Sequence, residues 1–191
     1  YGRLFDVRTV PSPNNLAYTS VALPLHTDNP YRDPTPSVQV LHCLKAAESG
    51  GATRLADGWK AAEWLRTNHP SDFAQLSTEP MHFRFCDSDV DLRAVRTVIG
   101  LRPDGSVGQI AVNNRSMVTP QTARFAGALS RFVERLEETA VELTLAGGEA
   151  IVFDNRRTLH ARSGFDPSSG RHLQGCYIDI DAIASRYARV G

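Results

Sequence analysis

Within Pro24-Leu25-His26-Thr27-Asp28 an imidazole and a carboxylate stand two residues apart, a spacing that sends both side chains to one face of an extended backbone. Two neighbouring metal ligands would have that geometry. Two imidazoles and one carboxylate on one side of an iron ion leave the opposite positions open for reactants. A third ligand must therefore come from elsewhere, because His-x-Asp by itself also arises by chance or as a surface cap.

The second half of such a site lies far along the chain. Gly147-Gly148 reads as a turn feeding a buried strand, Ala150-Ile151-Val152-Phe153, which ends in the polar Asp154-Asn155, and Leu159-His160 follows. Arg171 comes 11 residues after His160. A buried guanidinium presented by a strand is a natural fork for the distal carboxylate of a dicarboxylate.

Mostly extended elements have to position these groups. Residues 1–35 are rich in Pro, Asn, Asp and Tyr and read as loop, whereas residues 37–44 alternate Val38, Val40, His42 and Leu44 against Gln39, Leu41 and Cys43, as a buried strand does. Asp57 is placed to cap a short, peripheral helix carrying Trp59, Ala62 and Leu65, which Pro70 would end. A second helix is expected from Thr119 as N-cap and Pro120 in the first turn, with Phe125, Leu129, Phe132, Val133 and Leu136 on one face. Further apolar segments lie at 81–85, 97–101, 107–113, 141–145, 150–153 and 173–180, and Pro103-Asp104-Gly105, Gly147-Gly148 and Ser168-Ser169-Gly170 supply turns. Strands outnumber helices, so the expected fold is mainly β with flanking helices, a sandwich or jelly roll rather than a parallel α/β sheet. No repeat or linker divides residues 1–191, which read as one domain. The abrupt start on Tyr1-Gly2-Arg3-Leu4-Phe5 reads as an excerpt of a longer polypeptide.

Composition narrows the partners. Lys plus Arg equal Asp plus Glu at 21 each, so no overall field favours nucleic acid or an anionic membrane surface, and a small molecule is the partner left. No apolar stretch approaches the roughly 20 residues of a spanning helix, and no basic-then-apolar signal opens the chain. Cys43, Cys86 and Cys176 are odd in number and lack CxxC spacing, which argues against a disulfide framework or a thiolate zinc site and fits a cytoplasmic protein.

Seven blocks in order carry a more specific likeness: Asn14-Asn15-Leu16-Ala17-Tyr18-Thr19, His26-Thr27-Asp28-Asn29-Pro30-Tyr31, Gln39-Val40-Leu41-His42-Cys43-Leu44, Gly50-Gly51, Phe153-Asp154-Asn155-Arg156-Arg157, Leu159-His160-Ala161-Arg162, and Arg171-His172-Leu173-Gln174-Gly175-Cys176-Tyr177. Together they resemble the γ-butyrobetaine and trimethyllysine dioxygenases of the taurine dioxygenase-like superfamily. The resemblance implies a double-stranded β-helix (jelly roll) and a single Fe(II)/2-oxoglutarate dioxygenase catalytic domain. It also implies iron(II) held by His26, Asp28 and His160, 2-oxoglutarate as co-substrate with its distal carboxylate on Arg171 and Thr53, and O2 as oxidant. Thr53 is otherwise an ordinary strand threonine. Members of the family often dimerise and carry a small zinc domain before the catalytic core, so a homodimer is an expectation resting on the resemblance alone.

The resemblance further implies a quaternary ammonium zwitterion as substrate, best matched by γ-butyrobetaine hydroxylated to L-carnitine. A trimethylammonium group donates no hydrogen bond and is held by aromatic faces. Tyr1, Phe5, Tyr18 and Tyr177 stand at the family's cage positions, with Phe5 replacing an expected tryptophan. Read without the family, each aromatic is core packing. Asn15 and Asn113 resemble the residues that hold the substrate's carboxylate. Arg115, two residues on and on the same face if the segment is a strand, suits a carboxylate but suits a phosphonate better. A trimethylammonium phosphonate therefore stays open as substrate, as does a solvated role for Arg115.

Two other classes use part of this pattern. A zinc hydrolase would need the two histidines and the aspartate but gives Arg171 no role. A non-catalytic jelly-roll binding domain would keep a pocket without needing the three ligands.

Overall fold

The computed structural model describes residues 3–13, 15–118 and 122–190. Two four-stranded antiparallel sheets form its centre. The first runs in the order β1 (Phe5–Arg8), β12 (His172–Ile178), β3 (Val38–Lys45), β10 (Ala150–Asp154), and the second β2 (Leu23–His26), β11 (Thr158–Arg162), β4 (Thr53–Asp57), β9 (Val141–Leu143). Strands distant in sequence are neighbours in both sheets, the crossed order of a jelly roll. Two hairpins complete the β-structure, β5 (Met81–Cys86) with β6 (Asp91–Arg96) and β7 (Ile99–Leu101) with β8 (Val107–Ile110). The mainly β expectation holds, and the supposed opening loop contributes the edge strands β1 and β2.

Helices close one face of the second sheet. Helix α1 (Gly58–Asn68) begins at Asp57, whose carboxylate accepts from the Trp59 and Lys60 N–H groups as its sequence position suggested. It is not peripheral: Ala61, Ala62 and Leu65 are buried and pack with Ala56, Leu159 and Ala161 of the sheet. Pro70 does not simply end it. With its missing N–H at no cost in a first turn, Pro70 starts a further helix, α2 (Pro70–Thr78). Helix α3 (Ala123–Thr139) presents Phe125, Phe132 and Leu136 to the same core. Its cap is Thr122, which accepts from the Phe125 N–H, so the helix starts later than Thr119 and Pro120 implied; those two residues lie outside the described ones. Helix α4 (Ile180–Val190) was not expected and buries none of its side chains.

A smaller apolar cluster of Leu41, Cys43, Phe153 and Leu173 joins β3, β10 and β12 of the first sheet. A cavity of about 700 Å³ is lined by both sheets. All three cysteines are free. Among the described residues no helix is long and apolar enough to cross a membrane.

Candidate active site

Antiparallel pairing brings the two halves of the metal pattern together. His26 ends β2, His160 is the middle residue of β11, and the register sets them directly opposite, with ring centroids 4.3 Å apart. Asp28 lies past the end of β2. Its backbone is held by Asn155, whose Oδ1 accepts from the Asp28 N–H at 2.7 Å while Nδ2 donates to the Asp28 carbonyl at 3.0 Å. Thr27, fully buried between the two ligands, exchanges hydrogen bonds with Val112, and Asn113 donates to its carbonyl at 3.1 Å. The short loop is thus fixed from both sides.

The three side chains converge. Asp28 Oδ1 is 3.4 Å from His26 Nε2, and Oδ2 is 3.7 Å from His160 Nε2. His26 Nδ1 sits 2.8 Å from the Pro24 carbonyl, which assigns it the ring proton in the neutral form and leaves the Nε2 lone pair facing the carboxylate. Burial, and then the neighbouring His26, push the His160 imidazole down to about 3, so it is neutral at physiological pH. Burial alone would raise the Asp28 carboxyl, but the two imidazoles and the Tyr177 hydroxyl outweigh it and hold Asp28 well below the usual carboxylate range. The Nε2 atoms of His26 and His160 and the Asp28 carboxylate thus face one point, where a cation would be held by all three. These are the only His, Cys, Asp or Glu side chains among the described residues grouped tightly enough to hold a metal ion. The nitrogen and oxygen donors fit iron(II) with open positions on the cavity side.

Arg171 lies on the cavity wall just before β12, is 6% exposed, and forms no ion pair among the described residues. Burial pulls its guanidinium below the usual arginine value. Its neighbours are the Gly51 carbonyl at 3.3 Å and the Phe165 ring. Gly51 must be glycine here: its φ is +68°, and a Cβ would stand 2.8 Å from Arg171 Nε. A buried guanidinium without a counter-ion is costly unless an anion arrives. Thr53, buried at the start of β4, lines the same cavity.

The other expected site residues gather around this cavity. The Phe5 ring stacks on Tyr177 with centroids 5.0 Å apart, and Gly175 leaves the space that the Phe5 ring fills. Tyr177 has a second contact not foreseen, as its hydroxyl donates to Asp28 Oδ2 at 2.7 Å. Tyr18 lies in a single 3-10 turn, Leu16–Tyr18, capped by Asn15, and both line the cavity. Asn113 lines it too. Arg115 does not share a strand with Asn113, since β8 ends at Ile110 and Arg115 sits in a turn; its guanidinium still faces the cavity and donates to Asn15 Oδ1 at 3.0 Å. Tyr1 lies outside the described residues. His172, outside the cavity, pairs with Asp6 at 2.8 Å.

Three buried residues were missed. Asn155 clamps Asp28, Gln39 donates to Asp28 Oδ2 at 2.8 Å, and Arg162 donates to the carbonyls of Ala17, Thr19 and Val21, tying the Tyr18 segment to β11. Their signal was available in part: Arg162 follows His160 by two on a strand and shares its face.

Residues 1–177 match the family described as taurine catabolism dioxygenase TauD, TfdA family. The chain belongs to this family. The γ-butyrobetaine dioxygenase of Pseudomonas sp. (strain AK-1) is 40% identical over 194 residues, covering 97% of this chain and 51% of that protein. The Homo sapiens γ-butyrobetaine dioxygenase is 33% identical over 201 residues, with 97% and 51% covered. Among solved structures, an asparagine oxygenase in complex with Fe(II), 2S,3S-3-hydroxyasparagine and succinate superposes with a TM-score of 0.74 at 26% identity, covering 92% of this chain and 56% of that one. The chain spans about half the length of the curated relatives it matches. TauD/TfdA membership agrees with the jelly-roll sheets and with a metal-competent His26–Asp28–His160 cluster at the cavity wall.

Proposed function

We propose that this chain is the catalytic domain of an iron(II)- and 2-oxoglutarate-dependent dioxygenase that hydroxylates an unactivated C–H bond in a small trimethylammonium zwitterion, γ-butyrobetaine being the best match. The observation that carries the reading is the convergence of His26, Asp28 and His160 on one point beside a cavity that is also lined by Arg171, which forms no ion pair among the described residues. The γ-butyrobetaine dioxygenases named above support the substrate class.

In this reading His26, Asp28 and His160 hold the iron. Iron supplies the redox chemistry, in which O2 is reduced as 2-oxoglutarate is decarboxylated to succinate and one oxygen atom is inserted into the substrate C–H bond. Arg171 grips the distal carboxylate of 2-oxoglutarate with Thr53 as hydroxyl donor, so the keto acid enters in one orientation. Phe5, Tyr18 and Tyr177 offer ring faces to the ammonium group, and Tyr1 belongs to the same proposed set. Asn15, Asn113 and Arg115 take the anionic end. Fixing a cation at one end and an anion at the other selects which carbon faces the metal. Arg115, held at Asn15, also suits a phosphonate dianion, and a trimethylammonium phosphonate is the second reading.

Oxygen uptake and succinate release with each candidate test the assignment. Succinate formation coupled to γ-butyrobetaine, abolished in His26→Ala, is expected. Turnover by His26→Ala at the wild-type rate would contradict it, and iron-independent hydrolysis without oxygen uptake would favour a zinc hydrolase.

A further inference from the structure

Gln39 is a buried polar residue to which the proposed reaction gives no task. It lies on β3 between Val38 and Val40, paired across the sheet with Phe153 on one side and Tyr177 on the other, and is 2% exposed. Its Nε2 donates to Asp28 Oδ2 at 2.8 Å, and the Tyr177 hydroxyl donates to the same oxygen at 2.7 Å. Its own Oε1 is buried and has no hydrogen-bond partner among the described residues. Methionine or leucine would fill the same strand position without stranding a carbonyl oxygen, so packing does not account for an amide here. Turning the amide over would set Oε1 against the carboxylate, which fixes the orientation observed.

The two oxygens of Asp28 are thereby made unequal. Oδ2 takes two donors, while Oδ1 takes neither and faces His26 Nε2 at 3.4 Å. A carboxylate left to rotate can offer a metal both oxygens, and the second would occupy a position that a chelating keto acid needs. Resting on the iron reading above, we propose that Gln39 is a positioning residue which, with the Tyr177 hydroxyl, holds Asp28 as a ligand through one oxygen. Partners that orient metal ligands in this way commonly alter metal affinity about 10–100-fold when removed.

Gln39→Met keeps the volume and removes the donor. Iron(II) affinity, measured anaerobically on the full chain by competition with a chromogenic chelator, is expected to fall about 10–100-fold in Gln39→Met. The thermal midpoint of metal-free Gln39→Met is expected to stay at or above that of wild type, whereas a packing role would lower the midpoint and leave iron affinity alone. Iron binding by Gln39→Met within twofold of wild type overturns the proposal. Should that variant fail to fold, Tyr177→Phe removes the other donor to the same oxygen, and unchanged iron affinity there overturns it equally. Wild-type protein that binds no iron would remove both this proposal and the iron reading beneath it. Tight wild-type binding with an indifferent Gln39→Met removes only the role of Gln39.

Discussion

Asn155 holds Asp28 by both ends of its peptide geometry, accepting from its N–H at 2.7 Å and donating to its carbonyl at 3.0 Å, with a further bond to the Pro36 carbonyl at 3.0 Å. The ligand loop after β2 is therefore built onto the turn that follows β10, and the two halves of the metal pattern depend on each other before any metal arrives.

Asn155→Ala should strand a buried N–H and two buried carbonyls. A loss of at least about 3 kcal/mol in unfolding free energy is expected by urea denaturation, since each of the three orphaned buried groups costs about 1–3 kcal/mol. Iron affinity should fall with it. Asn155→Ala with wild-type stability and wild-type iron binding would show that the clamp is idle.

Arg171→Met removes the proposed fork for the distal carboxylate. Losing one partner of a buried charge pair costs about 2–5 kcal/mol, so the KM for 2-oxoglutarate should rise at least about 30-fold. The KM for the trimethylammonium substrate should change far less. Steady-state kinetics with each substrate varied in turn separates the two effects.

Leu65→Ala measures how deeply α1 is built into the core. Leu65 has no exposed surface, and truncating such a leucine costs about 2–5 kcal/mol. A helix lying on the periphery would lose less than about 0.5 kcal/mol at an outward position. Chemical denaturation distinguishes the two values.

Asp57 makes stability depend on pH in a defined direction. Burial raises its carboxyl, but the Arg157 guanidinium at 2.5 Å and the two first-turn N–H groups lower it more, leaving it below its ordinary 3.8. A carboxyl depressed in the folded state contributes stability above its unfolded value, and that contribution is lost as pH falls through the folded value. Asn at this position still caps α1 but cannot pair with Arg157. Wild type should therefore exceed Asp57→Asn by about 1 kcal/mol at pH 7, and the gap should close below pH 3.8. A gap that widens in acid would contradict the pairing.

The sequence makes the ligands and the anion fork visible because their chemistry is written in residue type and spacing: His26-x-Asp28, His160, and Arg171 after the same strand. It makes the supports harder to see. On β3, Val38 and Val40 flank Gln39, so alternation alone does not say which face is inward, and only the pairing with β10 and β12 turns Gln39 toward Asp28. The strand Thr-Leu-His-Ala-Arg of β11 is too short and mixed to declare a period, yet it is central in its sheet. Pro70 was ambiguous for a physical reason, since the same missing N–H that ends one helix is harmless in the first turn of the next. The stripe on α3 is legible along its length, but its start depends on whether Thr119 or Thr122 supplies the capping oxygen, and the bond to the Phe125 N–H selects Thr122 for the described helix.

If His26, Asp28, His160 and Arg171 form one site, iron and a keto acid bind there together. Anaerobic titration of iron(II)-loaded protein with 2-oxoglutarate reads this out through the weak visible charge-transfer band of an iron–keto acid chelate. A saturable band is expected, shifted when γ-butyrobetaine is added and absent in His160→Ala. Iron-loaded, folded wild-type protein that develops no band at saturating 2-oxoglutarate would contradict a shared site.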